Sequence, residues 1–280
     1  MDRRTELSSF LKSRRARLRP DEVGLPVYGG ERRVPGLRRE ELAQLAGVST
    51  THYTRLEQGQ TANVSTGVLD AVSTALRLSV DEREYLHRLV HPPRTPPLTG
   101  LDQMPELRYM VDAVTGAPAY VTGRYGNLLA WNRMTAVTLF DFHSVAPAHR
   151  TWTHAVFLET ELRTRFSEAG EWERTARHQI AYLRLCWSRF QNDPEITAAV
   201  EDLTYRSEDF RRLWAEQLVT GWTGERVRLH HPLVGPLDIT QALMHPHDDL
   251  SLTFVIGGAA PGSPTGTALR KLAAAPADAR

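Results

Sequence analysis

The sequence predicts a multidomain chain: an all-α N-terminal domain of five helices, followed by a C-terminal α+β domain on an antiparallel sheet. Three observations predict it. Residues 36–59 read as two short helices joined by a tight turn. His91-Pro92-Pro93-Arg94-Thr95-Pro96-Pro97 holds four prolines in seven residues, which stop a helix and favour a stiff extended connector. Beyond it, segments of alternating pattern give way to helical periodicity and then to alternation again, the order of an α+β unit. The expected boundaries are 1–91 for the helical domain, 92–103 for the linker and 104–280 for the second domain.

The first helix is expected from about residue 3 to 18, with Leu7, Phe10, Leu11 and Leu18 at helical spacing among Arg14, Arg15, Arg17 and Arg19. Pro20 and Asp21-Glu22 end it. Residues 24–35 read as a loop carrying Pro26, Gly29-Gly30 and Arg32-Arg33. The next helix places Leu42, Ala43, Leu45 and Ala46 on one face. Gly47 suits a left-handed turn because it has no Cβ to clash. Val48 fills the angle between the helices, and Ser49 caps the second by accepting a backbone N–H. Tyr53 and Leu56 then point to the core, leaving Thr50, Thr51, His52, Thr54 and Arg55 outside. This is the layout of a helix-turn-helix whose second helix enters the DNA major groove. After a polar loop, Ser65 or Thr66 caps a helix bearing Val68, Leu69, Val72, Ala75 and Leu76. Ser79 caps a fifth, with Asp81 and Glu82 in its first turn and Tyr85, Leu86 and Leu89 inside.

In the second half, residues 104–114 are helical. Residues 118–123 and 127–131 read as strands turning at Arg124-Tyr125-Gly126. Asn132 caps a helix reaching Phe140. Helical pieces follow near 152–166, 170–190, 194–204 and 207–219, with Asp193-Pro194-Glu195 a cap followed by proline at the first helical position. Strands are expected at 225–230, 233–240 and 250–256, then a loop at 257–264 and a helix near 265–274. No internal repeat is found.

Composition narrows the setting. The chain has 280 residues, 41% of them hydrophobic, enough for about two cores. Cys186 is the only cysteine, which excludes an internal disulfide framework and a cysteine-rich zinc site and makes a reducing cytoplasm the simplest location. Met1-Asp2-Arg3-Arg4 leads into polar sequence, so no secretory signal is expected. No stretch approaches the ~18 apolar residues of a membrane span, so no membrane partner is expected. All basic residues but Lys12 and Lys271 are arginine, a skew that fits GC-rich coding. The net charge of +1 hides an asymmetry: residues 1–95 hold 16 Lys/Arg against 12 Asp/Glu, the remainder 18 against 21. The excess concentrates in residues 3–39, with 11 basic and 4 acidic. A basic lobe on a mildly acidic body suits a protein that presents one end to phosphates.

Residues 37–59 resemble the Xre/Cro-type helix-turn-helix, and the wider pattern resembles the MmyB-like transcription regulators of actinobacteria. The resemblance rests on Arg14-Arg15-Ala16-Arg17-Leu18, Gly24-Leu25-Pro26, Arg33-Val34-Pro35-Gly36-Leu37-Arg38-Arg39-Glu40-Glu41 and Tyr53-Thr54-Arg55-Leu56-Glu57-Gln58-Gly59. It continues through Ala117-Pro118-Ala119-Tyr120-Val121, Leu129-Ala130-Trp131-Asn132, Phe210-Arg211-Arg212-Leu213-Trp214, His230-His231-Pro232-Leu233-Val234-Gly235 and Gly262-Ser263-Pro264. It spans nearly the whole chain. It implies a C-terminal ligand-binding domain of PAS-like fold, with fatty acids as a ligand class. Val64 stands where proline is common in the family, and Thr50-Thr51-His52 departs from its usual residues, which bears on the operator sequence.

By that similarity, Thr50, Thr51 and Arg55 approach base edges, where an arginine favours guanine through a bidentate contact. Arg38 and Arg39, with Arg32 and Arg33 in the basic loop, are phosphate candidates. Ser49 offers its hydroxyl to a cap or a phosphate, and His52 is either a DNA contact or a solvated histidine. Glu57 reads as a structural cap or ion pair, since phosphate repels carboxylates. The expected partners are a double-stranded DNA operator and, as a homodimer, a second copy of the chain. For a small apolar effector the candidates are Tyr120 and Trp131 on the strands, with Leu139, Phe140 and Trp187 on the covering helices. The alternative is a C-terminal domain that only dimerises or docks a protein. His245-Pro246-His247-Asp248-Asp249 and His230-His231 are the clusters closest to a metal set. The first is a proline-broken loop and the second faces both sides of a strand, so neither metal nor cofactor is expected. No nucleophile elbow, phosphate loop or HExxH is present, so no enzyme is expected. Cys186 lies among Ile180, Leu183, Leu185 and Trp187 and reads as a buried small hydrophobe.

Overall fold

The computed structural model describes residues 2–24, 36–60, 64–92, 104–166, 168, 170–191, 193–221, 226–246 and 251–275. Two units emerge, Met1–Thr95 with Trp214–Gly221, and Pro96–Leu213 with Trp222–Arg280. The expected linker, apart from Pro92, lies outside the described residues, as do Arg32 and Arg33.

The first unit holds α1 (Arg3–Arg17), α2 (Arg39–Leu45), α3 (Thr50–Glu57), α4 (Thr66–Ala75) and α5 (Val80–Val90), at the positions the spacing predicts. Phe10, Leu11, Leu42, Tyr53, Leu69 and Leu86 are fully buried at its centre. Ser49, Ser65 and Ser79 cap α3, α4 and α5, each accepting a backbone N–H three residues on. The segment Trp214–Gly221, which the sequence reading puts in the second domain, groups here. Arg14 donates to the Gln217 carbonyl, and the Gly221 N–H donates to Asp81 at 2.7 Å.

Three of these helices end alike. The N–H two residues beyond the cap donates to the carbonyl of the last full turn: Val48 to Ala43 at 3.0 Å, Gln60 to Arg55 at 2.9 Å, Leu78 to Ser73 at 3.0 Å. The motif requires a left-handed residue, supplied by Gly47 (φ 64°), Gly59 (φ 77°) and Arg77 (φ 52°). Arg77 alone has a Cβ there, at ~1–2 kcal/mol of strain, against one exposed hydrogen bond from its guanidinium to the Glu22 carbonyl. Arg77→Gly is therefore expected to stabilise this unit by roughly 0.5–1 kcal/mol. Urea unfolding of both chains checks it; an unchanged or lower midpoint is the contrary result.

The second unit is α+β. A five-stranded antiparallel sheet runs in the order β2-β1-β5-β4-β3. Its strands are β1 (Ala119–Thr122), β2 (Leu128–Trp131), β3 (Arg226–His231), β4 (Gly235–Met244) and β5 (Thr253–Gly258). One face carries Ala119, Val121, Ala130 and Phe254 against Leu107 and Val111 of α6 (Pro105–Ala113). The other carries the register pair Tyr120 and Trp131. The remaining helices are α7 (Arg133–Thr138), α8 (Trp152–Leu158), α9 (Thr160–Arg165), α10 (Glu171–Arg189), α11 (Pro194–Arg206), α12 (Glu208–Ala215), whose Trp214 and Ala215 group with the first unit, and α13 (Pro264–Ala274). Asn132 caps α7 through Thr135 N–H at 2.9 Å and accepts from Ala119 N–H at 3.1 Å, tying the helix start to β1.

Three of the differences from expectation have a visible cause. The helix expected at 152–166 is two helices, because Glu159 is extended (φ −94°, ψ 107°) and turns the chain so that Leu162 is buried. The helix expected to reach 219 ends at Ala215, ahead of Gln217, which is left-handed at φ 56°. Strand β4 runs on to Met244 because Leu243 and Met244 pair with Val255 and Phe254. Alternation within one strand does not reveal how far a partner strand will extend it. Among the described residues, no helix is long and apolar enough to cross a membrane.

Candidate functional site

Helix α3 presents a sharply divided surface. Tyr53 and Leu56 are fully buried, Thr50, Thr51 and Arg55 are exposed, and His52 and Thr54 are intermediate. The Ser49 hydroxyl accepts from His52 N–H at 3.2 Å, so of the two roles open to it the cap is the one observed. Arg38 sits exposed at the head of α2, where its own N–H donates to Glu41 at 2.7 Å. Gly36 is where the chain crosses α1: a Cβ there would lie 2.5 Å from backbone atoms of Arg15 and Ala16, so only glycine fits.

Glu57 is the hub beneath this surface. It has no solvent exposure and accepts hydrogen bonds from Arg15 Nε (2.8 Å), Arg39 Nε (2.8 Å) and the Tyr53 hydroxyl (2.9 Å). Burial works to raise its pKa, but these donors outweigh burial and hold the carboxyl below its ordinary value. Burial and the adjacent carboxylate push the Tyr53 phenol well above its ordinary value, so it stays a donor. Arg39, read from the sequence as a phosphate contact, thus has a structural task as well. The sequence reading of Glu57 as an ion-pair residue agrees with its place. The participation of Arg15, 42 residues away, has no signal in the local pattern.

In the second unit, Tyr120, Trp131 and Phe140 are joined by two rings that the sequence reading left out of the candidate set. Trp152 packs on Tyr120 (5.6 Å between centroids) and on Phe142 (4.9 Å). Phe142 meets Phe140 at 5.1 Å and Trp131 at 5.9 Å. The Tyr120 hydroxyl accepts from Gln241 Nε2 at 3.1 Å, and burial raises its pKa. Leu139 is buried beside Phe140, and its carbonyl accepts from Arg165 at 2.9 Å. Trp187 is buried on α10 but makes none of these ring contacts among the described residues. A cleft of about 450 Å³ lies elsewhere on this unit, bordered by Glu171, Arg226, Arg228, Asp238 and Thr265, and none of the five candidates lines it.

The histidine clusters weighed from sequence are occupied otherwise. His231 is buried, with Nε2 on the Val137 carbonyl at 2.7 Å and Nδ1 accepting from Leu233 N–H at 3.2 Å; burial lowers its pKa. His230 is exposed on the opposite side of β3, as alternation requires. His245 contacts the Leu252 carbonyl and Thr253 hydroxyl, both at 3.2 Å, while His247, Asp248 and Asp249 lie outside the described residues. Cys186 is buried, as expected.

Comparison with known families agrees with this architecture. A helix-turn-helix domain family matches residues 6–86. The MmyB-like transcription regulator ligand binding domain matches residues 104–272, more than half of the chain. A search of curated proteins finds no match. Both matched families are transcription-regulator domains. The chain belongs to the MmyB-like transcription regulators, a DNA-binding regulator with an N-terminal helix-turn-helix and a C-terminal ligand-binding domain.

Proposed function

We propose that this chain is a cytoplasmic one-component regulator that binds a pseudo-palindromic operator as a homodimer and senses a small apolar molecule of the fatty-acid kind. The observation that carries the DNA half is the divided surface of α3. In this reading Thr50, Thr51 and Arg55 meet base edges, with His52 beside them, and Arg38 and Arg39 at the head of α2 meet phosphates. Arg32 and Arg33 join them from outside the described residues. The sensing half is supported by the ring cluster around Phe142, an apolar mass on the helix-covered face of the sheet. Effector control requires different affinity for two conformations of the dimer. The polar border of the described cleft favours a second reading, in which the C-terminal domain only dimerises or docks a protein.

Sequencing genomic fragments retained by the full chain at physiological salt tests the first half. A recurring motif with two half-sites is expected; uniform salt-labile retention is the contrary result. On a selected site, Arg55→Ala is expected to lose ~1–3 kcal/mol of discrimination at one base position, whereas Arg38→Ala weakens all sequences and lowers the salt slope by about one. Competition anisotropy against single-base variants reads both. Native mass spectrometry with saturated fatty acids separates the effector reading from the docking one.

A further inference from the structure

Three residues that no sequence pattern links converge in the second unit. His149 closes a short turn at Pro147–His149, His154 lies on α8 and Asp202 on α11. Each histidine Nε2 is 3.4 Å from the same oxygen, Oδ2 of Asp202. The two rings stack with centroids 5.0 Å apart, and one ligating atom from each of the three residues falls within 4.8 Å of the others. A separation of 3.4 Å is long for an N–H···O bond, whose usual limit is about 3.2 Å. It does match the edge of a tetrahedron around a metal bonded at about 2.0–2.1 Å, which is about 3.3–3.4 Å.

Two further observations point the same way. Asp202 Oδ2 is buried and accepts no hydrogen bond of normal geometry; its neighbours are the two imidazoles at 3.4 Å and Arg206 at 3.6 Å. Thr151 Oγ1 lies 2.8 Å from His154 Nδ1, the outer contact that orients a metal-bound imidazole. His154 is almost fully buried, so its ring is held in place beside Asp202. One neighbour opposes a cation: Arg206 Nη1 lies 3.6 Å from Asp202 Oδ2 and 3.2 Å from His149 Nε2. Its side chain is 41% exposed, and metal binding requires it to leave His149.

We propose that His149, His154 and Asp202 form a binding site for a divalent transition metal of the zinc class, with a fourth position open to water or an exogenous ligand. Two imidazoles and one carboxylate select zinc-like ions over magnesium or calcium. Bound metal would tie α8 to α11 next to Trp152, the ring that packs on Tyr120 and Phe142. The site stands apart from the apolar-effector reading and uses none of its residues.

The test is titration of Zn²⁺ into the tag-free, metal-stripped full chain by calorimetry, with Co²⁺ absorption as a geometry probe. One Zn²⁺ per chain is expected, displaced by neither Mg²⁺ nor Ca²⁺. His149→Ala and Asp202→Asn are expected to weaken binding by roughly 100-fold, and His245→Ala to leave it unchanged. Arg206→Met is expected to tighten it several-fold, a gain that a merely structural hydrogen-bond cluster would not give. Circular dichroism confirms that each variant is folded; His149, half-exposed at a turn, is the variant least prone to unfolding. Absence of stoichiometric binding, or binding that survives both His149→Ala and Asp202→Asn, overturns the site.

Discussion

Glu57→Gln is expected to destabilise the helix-turn-helix unit by about 3 kcal/mol, since removing one partner of a buried pair leaves the others uncompensated. Arg15 and Arg39 lose their counter-charge, and the guanidinium of Arg15 is largely buried with them. Operator binding falls with it, because α3 loses the anchor at its C-terminal end. The ligand-binding unit, which has its own core, is expected to keep its transition. The same carboxyl sets a pH dependence. Its folded pKa is depressed, so its contribution is complete above the ordinary carboxyl value of 4.5 and is lost as pH falls through the lower folded value. Urea unfolding at pH 7 and at pH 3 therefore shows a wild-type loss in this unit that Glu57→Gln largely lacks. Equal acid sensitivity in both chains would remove Glu57 from the account.

Phe142→Ala is expected to cost the second unit about 3–5 kcal/mol, the range for removing a buried aromatic ring. Phe142 has no solvent exposure and is the ring that joins Trp131, Phe140 and Trp152. Each edge-on pair adds ~0.5–1.5 kcal/mol beyond area burial, so one deletion removes three such terms. Unfolding followed by tryptophan emission reads the loss directly, because two of the three partners are tryptophans. A change below about 1 kcal/mol would mean that the cluster collapses around the gap at little cost.

Much of this was legible in the residues. Caps at Ser49, Ser65, Ser79 and Asn132 are local chemistry, and the helix starts follow from them. The inward Tyr53 and Leu56 and the outward Thr50, Thr51 and Arg55 follow from helical period alone. What escaped is non-local. Phe142 sits in a three-residue turn with no periodicity, so nothing marked it as the centre of the ring cluster. Arg15 belongs to the first helix and reads as one of several solvated arginines until its distance to Glu57 is known. His149, His154 and Asp202 come from three elements and share no spacing. Strand ends moved because pairing partners, not alternation, decide how far a ladder runs.

The division of labour on α3 has a consequence for divergence. Among the described residues, the side chains of Thr50, Thr51 and Arg55 make no hydrogen bond or ion pair, while Tyr53, Leu56 and Glu57 are committed to the interior. The residues proposed for recognition and those that hold the fold thus occupy separate positions of one eight-residue helix. Under the proposed recognition role, a duplicated copy of the gene would change its target by drifting at three exposed codons without passing through an unfolded ancestor. A library randomised at those positions keeps most of its members folded, so the protein is a tractable starting point for reprogrammed regulators.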